Sequence, residues 1–532
     1  MMKRYISLFT TLLAVFACGE KNDPVNPTPV APTSMTVSKT SFDIPQAGET
    51  VTLDITSPTR PILSGRPDWI TYQDGTYKDY KMTVGFKVEA NETTMIRTAE
   101  MSFMAAGVSP VKVTVTQEGK TAPDPPTPTP GGDTDAWKMA AKLGLGWNMG
   151  NHFDGYYNGS WAGEKEGYPD ETVWQPGGKA TQATFTNLKR AGFTSVRIPV
   201  SWLKMIGAAP EYKIDETWLN RVYEVVNFAH NAGLYVIVNT HHDENHGVSN
   251  TYQWLDIKNA ANNAALNTTI KAEIKAVWTQ IAAKFKDCGD WLILESFNEL
   301  NDGGWGWSFD FQKDPTRQCN ILNEWNQVFV DAVRATGGNN ATRILGLPGY
   351  CANPGFTITG FKMPDGHTSG NRIMVAVHDY DPYDYTLNKD DKGNCLYNQW
   401  GHTAQAGKAP SDKEESLVKT FEDLKAAFPD KGMPLYLGEM GCSNRSGEMA
   451  IAFQKYYLEY FCKALADRKI PFFLWDNGAA GSGPETMGYI NHATGAFVSE
   501  TTKMLVETMV KAVTTTDPSY TLQSVYNTAP VF

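Results

Sequence analysis

Two glutamates mark the chemistry this sequence can perform. Glu299 lies in the segment ESFNEL (Glu295–Leu300), directly after the apolar run Trp291–Leu294, and Glu439 lies in a second such stretch, LYLGEMG (Leu435–Gly441). An apolar strand that stops at an ionisable side chain, in a chain alternating strands with amphipathic helices, is the pattern of a barrel enzyme's catalytic rim. Two carboxyl groups on two different strands fit a divided task. One is held protonated as an acid, and the other is held ionised as a nucleophile or base.

The elements that must position this pair are legible from Asp135 onward. Strand-like runs begin at Leu143 (LGLGWNMG), Ser195 (SVRIPV), Tyr235 (YVIVNTHH), Leu292 (LILESFNE), Arg343 (RILGLPG), Ile373 (IMVAVHDY), Leu435 (LYLGEMG) and Phe472 (FFLWDNG), giving eight in all. Amphipathic helical stretches such as DETWLNRVYEVVNFAHNAG and SLVKTFEDLKAAF separate them. Eight strand–helix repeats predict a TIM (β/α)8 barrel over residues 135–532. No G-x-G-x-x-G or phosphate-binding loop follows any strand, so a nucleotide-binding open sheet has no support.

Barrel active sites form at the C-terminal strand ends, and the residues there are polar: Asn148, Asn151, Arg197, His241, His242, Asn298, His378 and Tyr380, with the aromatic Trp475. The segment HHDENH (His241–His246) has the look of a metal cluster. Adjacent residues of a strand point to opposite faces, however, so one histidine is expected to face the barrel and the other the helices. H-E-x-x-H is absent and no Cys-x-x-Cys pair occurs, so no metal or other cofactor is expected. Trp161, Trp174, Trp305, Trp307 and Trp400 fall in connecting loops and are candidates to line an open groove, with Trp305 and Trp307 on one face if the loop is extended.

The chain before the barrel has its own organisation. Lys3 and Arg4 precede an apolar run, Ile6–Ala17, that is too short for a comfortable membrane span and predicts an export signal over residues 1–17. Ala17 before Cys18 resembles a bacterial lipobox, which implies cleavage there and lipidation of Cys18. The following Gly-Glu-Lys-Asn-Asp is similar to the export tag of surface lipoproteins in gut Bacteroidetes, so a cell-surface protein of the outer membrane is expected. Residues 18–33 form a Pro-rich tether, and 120–134 a Pro/Gly linker. Between them, residues 34–119 alternate in short apolar runs and predict an all-β immunoglobulin-like sandwich. Pro67-Asp68-Trp69-Ile70, Val88–Asn91, Arg97 and Val115-Thr116-Gln117 resemble a BACON domain. Trp69 is expected in its core, and the domain reads as a spacer.

The net charge of −11, with no basic block, excludes nucleic acid as a natural partner and fits an uncharged polymer. Fifteen Trp and 23 Tyr supply flat amphipathic faces as well as core. GWNMGN, RIPVSW, NTHH, SFNE, HDYDPY, LGEMG and FLWDNG, in this order, resemble glycoside hydrolase family 5, and within it the bacterial endoglucanases and endo-xyloglucanases. That resemblance implies a retaining endo-β-1,4-glucanase acting as a monomer, with Glu299 as acid/base and Glu439 as nucleophile about 5 Å apart. Arg197 and Tyr380 are then expected to hold Glu439 ionised, and His378 and the loop aromatics to surround Glu299. Asn298 and His241 would contact the cut sugar, and Trp475 would stack under it. Glu295 reads as structural.

Xyloglucan leads among the implied substrates, ahead of mixed-linkage glucan and cellulose derivatives, with mannan or xylan cleavage as the alternative. A catalytically idle glycan-binding protein is the rival from another class, and the intact glutamate pair argues against it. The sequence departs from the family pattern at His152-Phe153 and Leu300, which are expected near sugar subsites and to bear on substrate choice.

Overall fold

A computed structural model describes residues 30–531 except 93–95, 120–134, 176, 247–251 and 366–371. The export signal, Cys18, most of the tether and the Pro/Gly linker lie outside the described residues. The chain divides into two compact units, an N-terminal β-sandwich and a closed barrel.

The sandwich is built from β1 (Thr36–Val37), β2 (Ser41–Ile44), β3 (Glu49–Thr56), β4 (Ile62–Ser64), β5 (Ile70–Gln73), β6 (Lys81–Val88), β7 (Arg97–Met104) and β8 (Val111–Gln117). They form two four-stranded sheets, ordered β1-β3-β6-β5 and β2-β8-β7-β4. Alternate residues such as Leu53, Ile55, Met82, Val84, Met101 and Val113 point inward and are buried, which is what the period-two pattern requires. Trp69 is half-buried against this core, and its ring is covered by the Arg97 guanidinium at 4.3 Å. It offers no open aromatic platform.

The barrel closes in sequence order through β9 (Leu145–Asn148), β10 (Ser195–Ile198), β11 (Tyr235–Val238), β12 (Leu292–Glu295), β13 (Leu345–Pro348), β14 (Ile373–Asp379), β15 (Leu435–Met440) and β16 (Phe472–Leu474). All eight pairings are parallel, and each arises from one of the eight apolar runs. The strands are buried on both faces. One set, including Val196, Val236, Leu294, Val375 and Leu437, packs under the helices. The other, including Ile237, Ile293, Met374, Tyr436 and Phe473, fills the interior.

A helix not anticipated from the sequence, Asp135–Leu143, belongs to that interior layer through Ala136, Met139, Ala140 and Leu143. Its short apolar face has no other core to join, so it plugs the barrel at the end away from the polar rim. The six cysteines from Cys288 to Cys462 are buried free thiols, so packing holds the barrel without disulfides. Among the described residues no helix is long and apolar enough to cross a membrane.

Because Leu143 is fully buried in the plug, Leu143→Ala removes transfer free energy and leaves a cavity. A loss of about 2–5 kcal/mol in unfolding free energy is expected, read by urea denaturation of the intact chain.

Candidate active site

The site is organised around one guanidinium. Arg197 projects into the barrel from β10 and is fully buried. Its Nε and Nη2 donate to Glu295 Oε1 at 3.0 and 2.8 Å. Nη1 donates to Asn148 Oδ1 at 3.0 Å and to Glu439 Oε1 at 2.8 Å, and Nη2 also donates to Asn298 Oδ1 at 2.8 Å. All five N–H groups are therefore used, which is how a buried cation is made tolerable. Burial would lower the Arg197 pKa, but the Glu295 and Glu439 carboxylates outweigh it and raise the pKa further above its ordinary value.

Glu439 reaches this guanidinium because β15 is irregular. Val377 pairs with Leu437 but His378 pairs with Glu439, so Gly438 is left out of the register. Tyr436 points inward and Leu437 outward, so strict alternation would turn Glu439 outward. The bulge at Gly438 turns it in. Glycine spares the imidazole there, since a Cβ would stand 2.8 Å from His378 Nε2 and push it aside. Glu439 Oε2 accepts a hydrogen bond from the Tyr380 hydroxyl at 2.9 Å.

Glu299 lies just past the end of β12, where alternation has already ceased. Phe297 joins the core outside the barrel, whereas Glu299 returns to the rim. Its Oε1 is 2.7 Å from His378 Nδ1, which is itself 3.7 Å from Glu439 Oε1. The two carboxyl groups and this imidazole present atoms all within 4.8 Å of one another.

The environments of the two carboxyls differ. Burial pushes Glu299 up to about 7, with the charge of Glu244 adding to it and Arg197 opposing. Burial lowers His378 to about 4, so the imidazole is neutral and does not resist protonation of its partner. Burial also raises Glu439 above its ordinary value, but there the Arg197 charge opposes it, and Arg197 and Tyr380 both donate to its oxygens. Glu299 has no cation in direct contact. The geometry thus favours the proton on Glu299 and the charge on Glu439.

The remaining predicted residues divide. Asn148 is fully buried and also donates to the Gly438 carbonyl at 2.8 Å, so it positions Arg197 and cannot touch a ligand. Asn298 presents its oxygen to Arg197, which turns its amide N–H groups the other way. Asn151 donates its backbone N–H to Asp154 Oδ2 at 3.0 Å from a left-handed conformation, φ 57°. Trp475 is half-buried with its ring parallel to that of His241, centroids 5.8 Å apart. Gly150 makes room for it, since a Cβ there would meet the indole at 2.7 Å.

The two histidines do not separate onto opposite faces. β11 ends at Val238, so strand alternation no longer governs them. Both Nε2 atoms turn toward Asp154 Oδ2, at 3.9 Å from His241 and 3.7 Å from His242. Burial, with the neighbouring His242 charge, pushes His241 well down, so it is neutral. Burial would also lower His242, but Glu244, whose Oε1 is 3.6 Å from its Nδ1, and Asp154 raise it to about 9. Asp154, His241 and His242 are ligand types, and in that cluster the protonated His242 faces Asp154 on one side and Glu244 on the other.

Trp174 packs beside His242 and Tyr156, ring centroids 5.8 and 5.2 Å away, and forms one wall of the rim. Trp305 and Trp307 are exposed, but a turn with φ 50° at Trp305 breaks the extended run that would have aligned them. Trp161 is exposed as well. Trp400 is not a groove residue at all: it is fully buried against Tyr456, Tyr457 and Tyr460.

The positions where the sequence departs from the family pattern are also internal. His152 is buried with Nε2 2.9 Å from Glu171 Oε1, a carboxylate shared with Arg221 on the helix Glu216–Asn231. Phe153 and Leu300 are buried in the main barrel core. A ring held by an internal ion pair, and apolar side chains with core to join, have no cause to face a groove, so these residues do not line sugar subsites.

Four residues escaped the sequence reading. Asn239 and Tyr436 donate to Glu295 at 2.9 and 2.6 Å, Asp154 faces the histidines, and buried Asp476 accepts from Trp147 Nε1 at 2.9 Å. A single polar residue within an otherwise apolar strand, as at Tyr436, is the signal that could have found one of them.

The glycosyl hydrolase family 5 cellulase model matches residues 158–481, and the BACON model matches residues 62–118. The chain belongs to glycosyl hydrolase family 5 and is a glycoside hydrolase. It is 34% identical over 363 residues to Endoglucanase A of Paenibacillus barcinonensis, covering 65% of this chain and 83% of that protein. Over 445 residues it is 31% identical to a xyloglucan-specific endo-β-1,4-glucanase of Bacteroides ovatus, covering 81% of this chain and 83% of that one. A broad specificity endoglucanase structure from Bacteroides salanitronis is 47% identical, with a TM-score of 0.66 over 72% of this chain and 96% of its own.

Gly438→Ala places a methyl group 2.8 Å from His378 Nε2, so the imidazole beside both carboxyls must shift. It is expected to lower kcat/KM on a soluble glucan by about tenfold or more, equivalent to ~1.4 kcal/mol in the barrier, while circular dichroism shows the fold retained.

Proposed function

We propose that this protein is a retaining endo-β-1,4-glucanase acting on a plant cell-wall glucan, with xyloglucan the leading substrate. The observation that carries the reading is the glutamate pair: two carboxyls with atoms within 4.8 Å, one beside a neutral imidazole and the other on a guanidinium. A separation of about 5 Å is the one used by retaining enzymes, against roughly 6.5–9.5 Å where an inverting pair holds an attacking water opposite the acid.

In the first step Glu299 donates its proton to the glycosidic oxygen as the bond to the anomeric carbon breaks. Glu439 attacks that carbon from the opposite face and forms a glycosyl ester. In the second step Glu299, now a carboxylate, takes a proton from water, whose oxygen displaces Glu439. Asn298 binds the sugar 2-hydroxyl, a contact that strengthens as the ring flattens. His241 contacts the same sugar, and Trp475 supplies a flat face beneath it.

The rim aromatics Trp174, Trp305 and Trp307 support an open groove and internal cleavage. The relatives include a xyloglucan-specific enzyme and a broad specificity one, which supports xyloglucan first and mixed-linkage glucan or cellulose derivatives after it. Mannan or xylan is the second reading. The lipobox-like Cys18 and its tether support an exported lipoprotein of the outer membrane, acting as a monomer on polymer outside the cell.

A panel of soluble polysaccharides, assayed for reducing ends with product sizing, tests the substrate. Mid-length products from xyloglucan are expected, and binding without release of reducing ends would leave only a glycan receptor. Glu439→Ala is expected to abolish turnover, and azide to restore cleavage with a glycosyl azide of inverted configuration; near-normal activity in that variant would exclude this nucleophile. Because Glu299 must be protonated and is pushed up to about 7, kcat/KM falls as pH rises through about 7. A profile flat to pH 9 would contradict that role.

A further inference from the structure

Glu295 is the last residue of β12, and it is about as buried as any side chain in the barrel. Substrate at the rim cannot reach it. Its Oε1 accepts from Arg197 Nε, Arg197 Nη2 and Asn239 Nδ2 at 3.0, 2.8 and 2.9 Å. Its Oε2 accepts from the Tyr436 hydroxyl at 2.6 Å and, more loosely, from Arg197 Nε at 3.3 Å. Every one of these contacts is made by a group donating to the carboxyl, and two of them come from one buried cation. Tyr436 alone among these partners could accept a proton in a hydrogen bond, but a guanidinium that donates to the carboxyl through both Nε and Nη2 holds it as the anion.

The other neighbouring elements add no competing charge. β13 presents Gly346, whose Cβ would stand 3.4 Å from the Cβ of Glu295, and β14 presents the neutral His378. The remaining ion is Glu439 on β15, on the far side of the same guanidinium. Arg197 thus lies between two carboxylates, only one of which can meet a sugar.

We propose that Glu295 is the permanent counter-ion of Arg197, a positioning residue that keeps the guanidinium paired while Glu439 alternates between carboxylate and glycosyl ester. This rests on the retaining reading above. When the Glu439 oxygen bonds to the anomeric carbon, the glycosidic C–O bond breaks and the Glu299 proton leaves with the alcohol, so Glu439 becomes neutral. Without Glu295, Arg197 would then be a buried cation facing an ester, and a buried unpaired charge is strongly destabilising. Before attack, sharing the guanidinium with Glu295 also limits its hold on the nucleophile.

The test is Glu295→Gln in the full chain, read two ways. One is the rate of covalent labelling by a 2-deoxy-2-fluoro cellobioside with an activated leaving group, which reports attack by Glu439 alone. The other is the acid limb of kcat/KM against pH. Labelling is expected to slow roughly tenfold or more. The acid limb should move to lower pH by about one unit, because Arg197 then acts on Glu439 alone and holds it ionised in more acid solution. An unchanged labelling rate and acid limb would overturn the proposal.

If the wild-type chain is not labelled at all, the retaining reading fails, and that result is distinct from wild-type labelling unaffected by the substitution. Should Glu295→Gln not fold, Tyr436→Phe keeps the carboxylate but removes its 2.6 Å hydrogen bond. The carboxylate then leans more fully on Arg197 and loosens the guanidinium's hold on Glu439, so the acid limb is expected to move to higher pH by less than about one unit, and an unmoved limb there would equally overturn the role.

Discussion

One buried cation sets the terms for the rest of this barrel. Arg197 has no water to solvate it, so its five N–H groups must end on protein acceptors, and they do so on side chains from β9, β12 and β15 and the loop after β12. That requirement fixes where Glu295, Glu439, Asn148 and Asn298 can stand. It also explains why β15 carries a bulge at Gly438: without it, Glu439 would face the helices and the guanidinium would lose a counter-ion. The hydrophobic layers below and outside make the barrel rigid, and the polar layer gains its order from this one group.

From that constraint the division of chemical labour follows. Glu439 is tied to a cation and a phenol, and Glu299 to an imidazole that burial keeps neutral. Burial pushes both carboxyls upward, so burial alone cannot tell them apart. Their direct contacts do. Two groups of one residue type, a few ångströms apart, acquire opposite protonation preferences from neighbours delivered by different strands. On the side of His241, a second set of charges keeps a neutral ring parallel to Trp475, with His242 carrying the positive charge between Asp154 and Glu244.

Much of this was legible in the sequence, because long apolar runs ending in polar residues have few alternatives in a parallel barrel. All eight strands and the glutamates at the ends of two of them follow from that pattern, whereas Arg197 and Tyr380 as partners of Glu439 were implied by the resemblance to glycoside hydrolase family 5. What the sequence concealed depends on local geometry. Alternation holds within β11 but lapses before His241 and His242, so both reach the same carboxylate. Trp400 sits in a loop-like stretch yet packs among three tyrosines, and composition alone cannot tell a loop aromatic that lines a groove from one that seals a core. Glu295 looked structural because nothing in ESFNEL reveals that Arg197, about a hundred positions earlier, ends upon it.

The central claim is that this arrangement makes Glu439 a nucleophile that attacks the sugar directly, rather than a base that activates water. The most direct measurement is the anomeric configuration of the first-formed product, followed by proton NMR before mutarotation sets in. Release of the β-anomer at the new reducing end is the predicted result. Initial release of the α-anomer would mean single displacement by water and would contradict the account.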